Sequence, residues 1–423
     1  MRFIFQYPGE ALMSALSRFF LPFAAPLAPA LPRLRVLAGA AALTLAVAGC
    51  SDVSSTFPPM AQPVNPGTPP QGALSGDTIG NGPVRVALIL PLTAPNGAVP
   101  AKAMRNAAEM AVAEFNNQEI TILVKDDKGT PEGAQAAAQE ALAQGAEAFM
   151  GPLFAQNVQA VAAIARPSQR PVVAFSSDAS VASRGVYLLS FLPQSDVRRI
   201  VSYASSRGKK SFAALIPQNA YGNVAEAEFM QAVTAAGGRV VAVERYQPAK
   251  ASLDAAISKI KGSLAQADTL FIPDDGSGLP AVATALRAAG VGSNIQMIGT
   301  GVWNEPRSIG TAALNGGWFA APENGGYNGF AQRYRQRFNA DPTRIATLTY
   351  DATALLGALV RTQGSQRFSE AVLTNGSGFS GQDGIFRFRA DGQNDRGLAI
   401  YQIGNGQATI IQAAPRSFGQ AGG

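Results

Sequence analysis

The chain has 423 residues, 47% of them hydrophobic, with no histidine, one cysteine and a formal net charge of +6. Without histidine, Ser-His-Asp and Cys-His nucleophilic sites are excluded, and histidine-ligated zinc with them. The length exceeds one typical core and predicts two domains.

Residues 1–49 read as a lipoprotein signal peptide. Arg33 and Arg35 form a positive flank, and residues 36–48 are an apolar core too short to span a bilayer. Val47-Ala48-Gly49-Cys50 then places small residues before the chain's one thiol, the pattern of a lipobox. Cys50 is expected to carry lipid and so make the membrane a partner; a buried free thiol beside an ordinary cleavage site is the alternative. The segment before Arg33 is longer than a signal requires, so Met1 and Met13 both stand as starts. Ser51 rather than Asp after the cysteine favours the outer over the inner membrane, on the periplasmic side of the cell envelope. Residues 1–49 hold four arginines and one glutamate, so their removal lowers the net charge from +6 to +3. The basic balance is thus partly a targeting feature, and no nucleic-acid partner is expected.

Residues 50–82 read as a lipid-anchored tether. From 51 to 82 there are six prolines, five glycines and no Lys or Arg. Almost nothing in the stretch is large and apolar enough to offset its ordering entropy.

From Pro83 the pattern alternates strand and helix. A β-rich run at 84–90 precedes a helical spacing over 101–117, a strand at 120–124 and an Ala-rich helix at 131–144 that Pro131 starts. Runs at 146–150, 158–165, 172–175 and 186–191 continue the rhythm. A second series starts at 212–216 and passes through 223–236, 239–244, 253–261, 269–272, 279–289 and 296–299. Short β runs, each followed by a helix, predict an α/β fold with parallel sheets in two Rossmann-like lobes.

Several segments resemble one family in order along the chain. VKDDKGTPEGAQAAAQEALAQGAEAFMGP is similar to the second βαβ unit of leucine/isoleucine/valine-binding proteins, and PVVAFSSDAS to the next strand with its hydroxyl-bearing loop. LIPQNAYGNVAEAEF resembles the opening of their second lobe, and GQDGIFRFRADGQNDRG their late hairpin. The resemblance implies a type I periplasmic-binding fold over 83–423, with a hinge crossed three times. It implies lobe 1 at about 83–192 and 322–383, and lobe 2 at about 193–321 and 384–423.

In such sheets ligands sit beyond the carboxyl ends of strands, which makes four loops candidates for a cleft. The first holds Thr93; the second holds Gln156 and Asn157, the latter also placed to cap the next helix. In the third, Ser176, Ser177 and Asp178 offer hydroxyls to a carboxylate or cap a helix. In the fourth, Tyr221 falls where the family puts a wall aromatic, with core packing the alternative. Amino-acid-binding members place an acid for the ligand ammonium in the loop that here reads Thr300-Gly301-Val302-Trp303, without an acid until Glu305. Asp274 and Asp275 are candidate substitutes, with a solvated loop the favoured alternative, and Trp303 is a candidate cleft residue. An ammonium buried without a partner would cost several kcal/mol, so ordinary amino-acid ligands are not expected.

Gly151-Pro152-Leu153 with Asn157-Val158, and Leu188 to Ser190 with Pro193-Gln194-Ser195-Asp196, resemble the corresponding parts of lipoprotein activators of penicillin-binding proteins. The resemblances imply a non-enzymatic envelope lipoprotein without cofactor or metal. Its main expected role is a regulator of peptidoglycan synthesis, with a synthase as partner. The alternative is the substrate-binding protein of an ABC permease, for an amino acid or related small solute.

Overall fold

The computed structural model describes residues 76–419 except Ser293. The chain divides into units at 1–66 and 67–423, and all described residues belong to the second. The signal peptide, Cys50 and the tether up to residue 75 lie outside them.

Described residues begin with β1 (Thr78–Ile79), β2 (Val84–Leu90), α1 (Ala98–Glu114), β3 (Ile120–Asp126), α2 (Pro131–Ala143), β4 (Ala148–Met150), α3 (Ala155–Ala165), β5 (Val172–Ala174) and β6 (Val186–Leu188). Their sheet has the order β1-β3-β2-β4-β5-β6, parallel except for β1. Helices cover both faces, so β2 is apolar at all but one position and buried along most of its length. Thr130 caps α2 by accepting the Gly133 N–H at 3.0 Å, and Pro131 fits the first helical position. The buried stripe of α2 is all alanine, Ala134, Ala137, Ala138 and Ala141, which lets it pack closely on α3.

The chain then passes to a second lobe built of α4 (Pro193–Ser206), β7 (Ser211–Pro217), α5 (Ala220–Ala235), β8 (Arg239–Tyr246), α6 (Lys250–Leu264), β9 (Thr269–Phe271), α7 (Leu279–Ala288), β10 (Gln296–Gly299), α8 (Pro306–Ile309) and β11 (Trp318–Ala321). It returns as α9 (Asn324–Phe338), α10 (Ala346–Gln363), α11 (Glu370–Leu373) and the small antiparallel sheet β12 (Phe379–Gly381), β13 (Gly384–Phe388) and β14 (Asn394–Arg396). It ends with β15 (Ala399–Gly404) and β16 (Gln407–Gln412), which complete the second sheet in the order β16-β15-β11-β10-β9-β7-β8.

Two boundaries differ from expectation. Residues 77–82 are not tether: β1 pairs antiparallel with β3, Ile79 is buried in the core, and Asp77 pairs with Arg105 at 2.8 Å. A two-residue strand is too short to leave a periodic signal. Residues 384–396 do not belong with the second lobe either. Phe386 and Phe388 join the core beneath the first sheet, and Phe388 lies 5.5 Å from Tyr187, so the last passage falls at residues 397–398.

The passages are tied to each other. Asn394 Nδ2 and Arg396 Nε both donate to the Ser190 carbonyl, at 3.0 and 2.9 Å. Asn304 Nδ2 donates to Asn324 Oδ1 at 3.0 Å, joining a second-lobe loop to the start of α9. The first two bonds hold the first and last passages side by side, and the third holds the middle passage to the second lobe.

Candidate functional site

Most first-lobe candidates are engaged in building their own loops. Thr93 donates from Oγ1 to Asp126 at 2.6 Å and from its backbone N–H at 3.3 Å. Burial alone would raise the Asp126 carboxyl, but these bonds and the Lys128 N–H outweigh it and hold it below the usual range. Gln156 is exposed on the first turn of α3. Asn157 is fully buried beside Asp127, whose carboxyl burial raises further than Asn157 and the Gly129 N–H lower it. Ser176 is buried and accepts the Asp178 N–H at 3.2 Å; Asp178 accepts the Ser180 N–H at 2.9 Å. Ser177 is exposed beside them.

Trp303 is not a cleft residue. It is fully buried in the second-lobe core, donating Nε1–H to the Ile272 carbonyl at 2.9 Å. Gly299 makes room for it, since a Cβ there would lie 2.0 Å from the indole.

At the hinge the two lobes share a pocket of about 200 Å³. Its polar lining is Asp196 and Asn304 from the second lobe and Arg344 from the segment before α10, with Phe191, Tyr221 and Val302 as apolar walls. Tyr221 shares a hydrogen bond with Thr300 Oγ1 at 2.7 Å, and burial, reinforced by the nearby Asp196 charge, raises its phenol so that it stays protonated. Asp196, in the first turn of α4, accepts the Gly301 N–H at 2.9 Å. Burial pushes its carboxyl up to about 7, against the pull of the Gly301 N–H and the Arg396 charge.

Arg344 is aimed by its neighbours. Nη1 donates to Asn324 Oδ1 at 2.9 Å and Nη2 to the fully buried Asp383 at 2.5 Å, while its guanidinium carbon lies 4.7 Å from the Tyr327 ring centre. A guanidinium has five N–H donors, so these two bonds leave three. Beyond Phe191 lies Arg396, 4.7 Å from the same ring, buried and with neither Nη hydrogen-bonded among the described residues. Asp351, near Arg396, is raised to about 8 by burial.

The loop after β10 lacks an acid, as its sequence states, yet the position is not without one: Asp196 reaches Gly301 from another element. Sequence reasoning missed Asp196 and Arg344. An acid in a helix's first turn reads as dipole compensation, and Arg344 follows an irregular stretch without periodicity.

Asp274 and Asp275 lie beyond β9, outside the hinge pocket. Asp274 is 9% exposed and accepts the Tyr246 hydroxyl at 2.5 Å. Burial raises its carboxyl, and the Tyr246 bond only partly offsets that. Asp275 accepts from the Ser277 side chain and N–H, which hold it below the ordinary range.

The sequence matches the family described as periplasmic binding protein over residues 83–408. No curated protein matches it significantly. Among solved structures it is similar to a candidate branched-chain amino acid ABC transporter protein from Rhodospirillum rubrum, at 20% identity and a TM-score of 0.70, covering 78% of this chain and 99% of that one. A substrate-binding protein of an ABC transporter from Desulfitobacterium hafniense in complex with leucine aligns at 18% identity and a TM-score of 0.58, over 78% and 99%. A solute-binding protein from Rhodopseudomonas palustris in complex with 3,4-dihydroxybenzoic acid aligns at 20% and 0.55, over 78% and 96%. At these identities the likeness carries the fold and leaves the ligand open.

Proposed function

The chain belongs to the periplasmic binding protein family, and from that premise we propose that it is the solute receptor of an ABC importer, closing on a small zwitterion of amino-acid type. The observation that carries this reading is the hinge pocket. A carboxylate from one lobe and a guanidinium from the other line a single cavity of about 200 Å³. That is below the 300–1,000 Å³ of drug-sized sites and suits a solute of a few heavy atoms. Arg344 would take the ligand carboxylate with its remaining donors. Asp196 would take the ammonium, which in turn favours its charged form. Phe191, Tyr221 and Val302 would cover the side chain.

This reading reverses the expectation against amino-acid ligands, because Asp196 supplies the acid that the loop after β10 lacks. It also takes the alternative over the main expectation: the matched proteins are transport receptors, and none supports a regulator of peptidoglycan synthesis. Anchoring through lipid on Cys50 remains part of the proposal, and a permease partner follows from the receptor role; that partner places the anchor at the inner membrane in place of the outer membrane that Ser51 favours. Cys50→Ala should abolish acyl labelling.

The test is a thermal-shift screen of the chain against the standard amino acids. A ligand at 100 times its Kd should stabilise it by about 2.7 kcal/mol, and Asp196→Asn should abolish the shift without lowering the melting point of the unliganded protein. Stabilisation that survives Asp196→Asn would refute the assignment.

A further inference from the structure

A larger crevice of about 960 Å³ lies beyond the carboxyl ends of β7, β8 and β9, lined entirely by residues between 217 and 288 and so by the second lobe alone. From β7 the chain moves to one side for β8 and to the other for β9, which makes the β7/β9 gap a topological switch point. Doubly wound sheets receive ligands at that place. The volume falls within the range of small-molecule sites.

The crevice is two-ended. At the sheet end, Asp274 Oδ2 accepts the Tyr246 hydroxyl at 2.5 Å and Oδ1 accepts the Asp275 N–H at 2.9 Å. A carboxylate has about four acceptor sites, so about two remain. The turn closes on this carboxylate only because residue 278 is glycine: a Cβ there would lie 2.2 Å from Asp274 Oδ2. Along the helices, Leu253, Val282 and Ala285 give an apolar wall. Lys250 is the one cation among the lining residues, and Asp254 holds it at 2.6 Å.

We propose that this crevice is a second ligand site, distinct from the hinge pocket, for an amphipathic amine whose ammonium rests on Asp274 and whose hydrocarbon lies between α6 and α7. The net negative lining selects a cation, and the apolar wall selects a body of several carbons. Because one lobe supplies every wall, the site fills without closure, and both sites can be occupied at once. Burial raises the Asp274 carboxyl; a bound ammonium acts in the opposite direction, so binding should strengthen as pH rises toward neutrality.

The experiment is isothermal titration of the chain with n-hexylamine and, as the anionic match, hexanoate. Hexylamine should bind and hexanoate should not. Asp274→Asn and Ala285→Leu should each weaken the amine at least tenfold, Asp196→Asn should leave it unchanged, and the radius of gyration should not fall on binding. Failure of hexylamine to bind, equal binding of hexanoate, or an affinity that follows Asp196 rather than Asp274 would overturn the proposal. Amino-acid binding at the hinge is decided separately by the Asp196 screen, so failure of hexylamine to bind leaves that reading standing.

Discussion

The carboxyl edges of the two sheets carry similar loop chemistry and use it differently. On the first lobe, Thr93 and Ser176 spend their hydrogen bonds on neighbours within the lobe's own loops, and Asn157 is buried beside Asp127. On the second lobe and the hinge, Asp196, Arg344 and Asp274 also have partners, but each keeps donor or acceptor capacity facing a cavity. The difference is one of accounting. A polar loop residue is available to a ligand only if its own backbone has not already taken it, and Ser, Thr and Asp are the residues that backbones take most readily.

The largest expected effect tests the frame that aims the hinge cation. Asp383 is fully buried against Arg344 and also accepts the Thr347 hydroxyl at 2.6 Å. Asp383→Ala leaves a guanidinium without its partner and should cost about 3 kcal/mol, read as a lowered urea midpoint. A change below 0.5 kcal/mol would mean the pair is not structural.

Next is the comparison itself, read on ligand affinity. With any amino acid found to bind, Asp196→Asn and Arg344→Lys should each weaken binding a hundredfold or more, about 2.7 kcal/mol. Ser176→Ala and Thr93→Val should change it less than twofold. If the two serine and threonine variants lose as much as the hinge variants, the first lobe's loops are ligand groups and the contrast fails.

A smaller effect separates buried acid from bound acid. Asp351 has a folded-state carboxyl raised to about 8, so it is protonated when folded and ionised when unfolded between about pH 4 and 8. Its contribution is full below pH 4 and is lost as pH rises through about 8. Asp351→Asn keeps an acceptor for the Gln382 N–H and removes that loss. The variant should therefore gain melting temperature over the parent at pH 8 more than at pH 5, and parallel curves would contradict the assignment.

The smallest effect concerns the amino-terminal boundary. Removing residues 53–75 should shift the melting temperature by no more than about 1–2 °C, since that composition offers no packed core. Extending the deletion to residue 82 should lower it clearly, because β1 and Ile79 go with it.

The fold was largely legible, because period and order survive in sequence: both β-strand series, the Pro-started α2 and the late hairpin stand near where their patterns place them. What was not legible depends on contacts between distant residues. Asp196 and Gly301 meet across 105 positions, and Arg344 and Asp383 across 39. Trp303 reads as a loop aromatic until Gly299 is seen to make a slot for it. The two-residue β1 carries too little pattern, and Phe386 and Phe388 alternate correctly without saying which lobe they pack on.

The most direct test of the central claim is small-angle scattering of the chain with and without a saturating amino acid that binds. A pocket shared by both lobes and filled by a zwitterion should bring the lobes together, so the radius of gyration should fall on binding and stay at its unliganded value in Asp196→Asn under the same conditions. Binding with no change in the radius of gyration, or an equal fall in Asp196→Asn, would contradict the account.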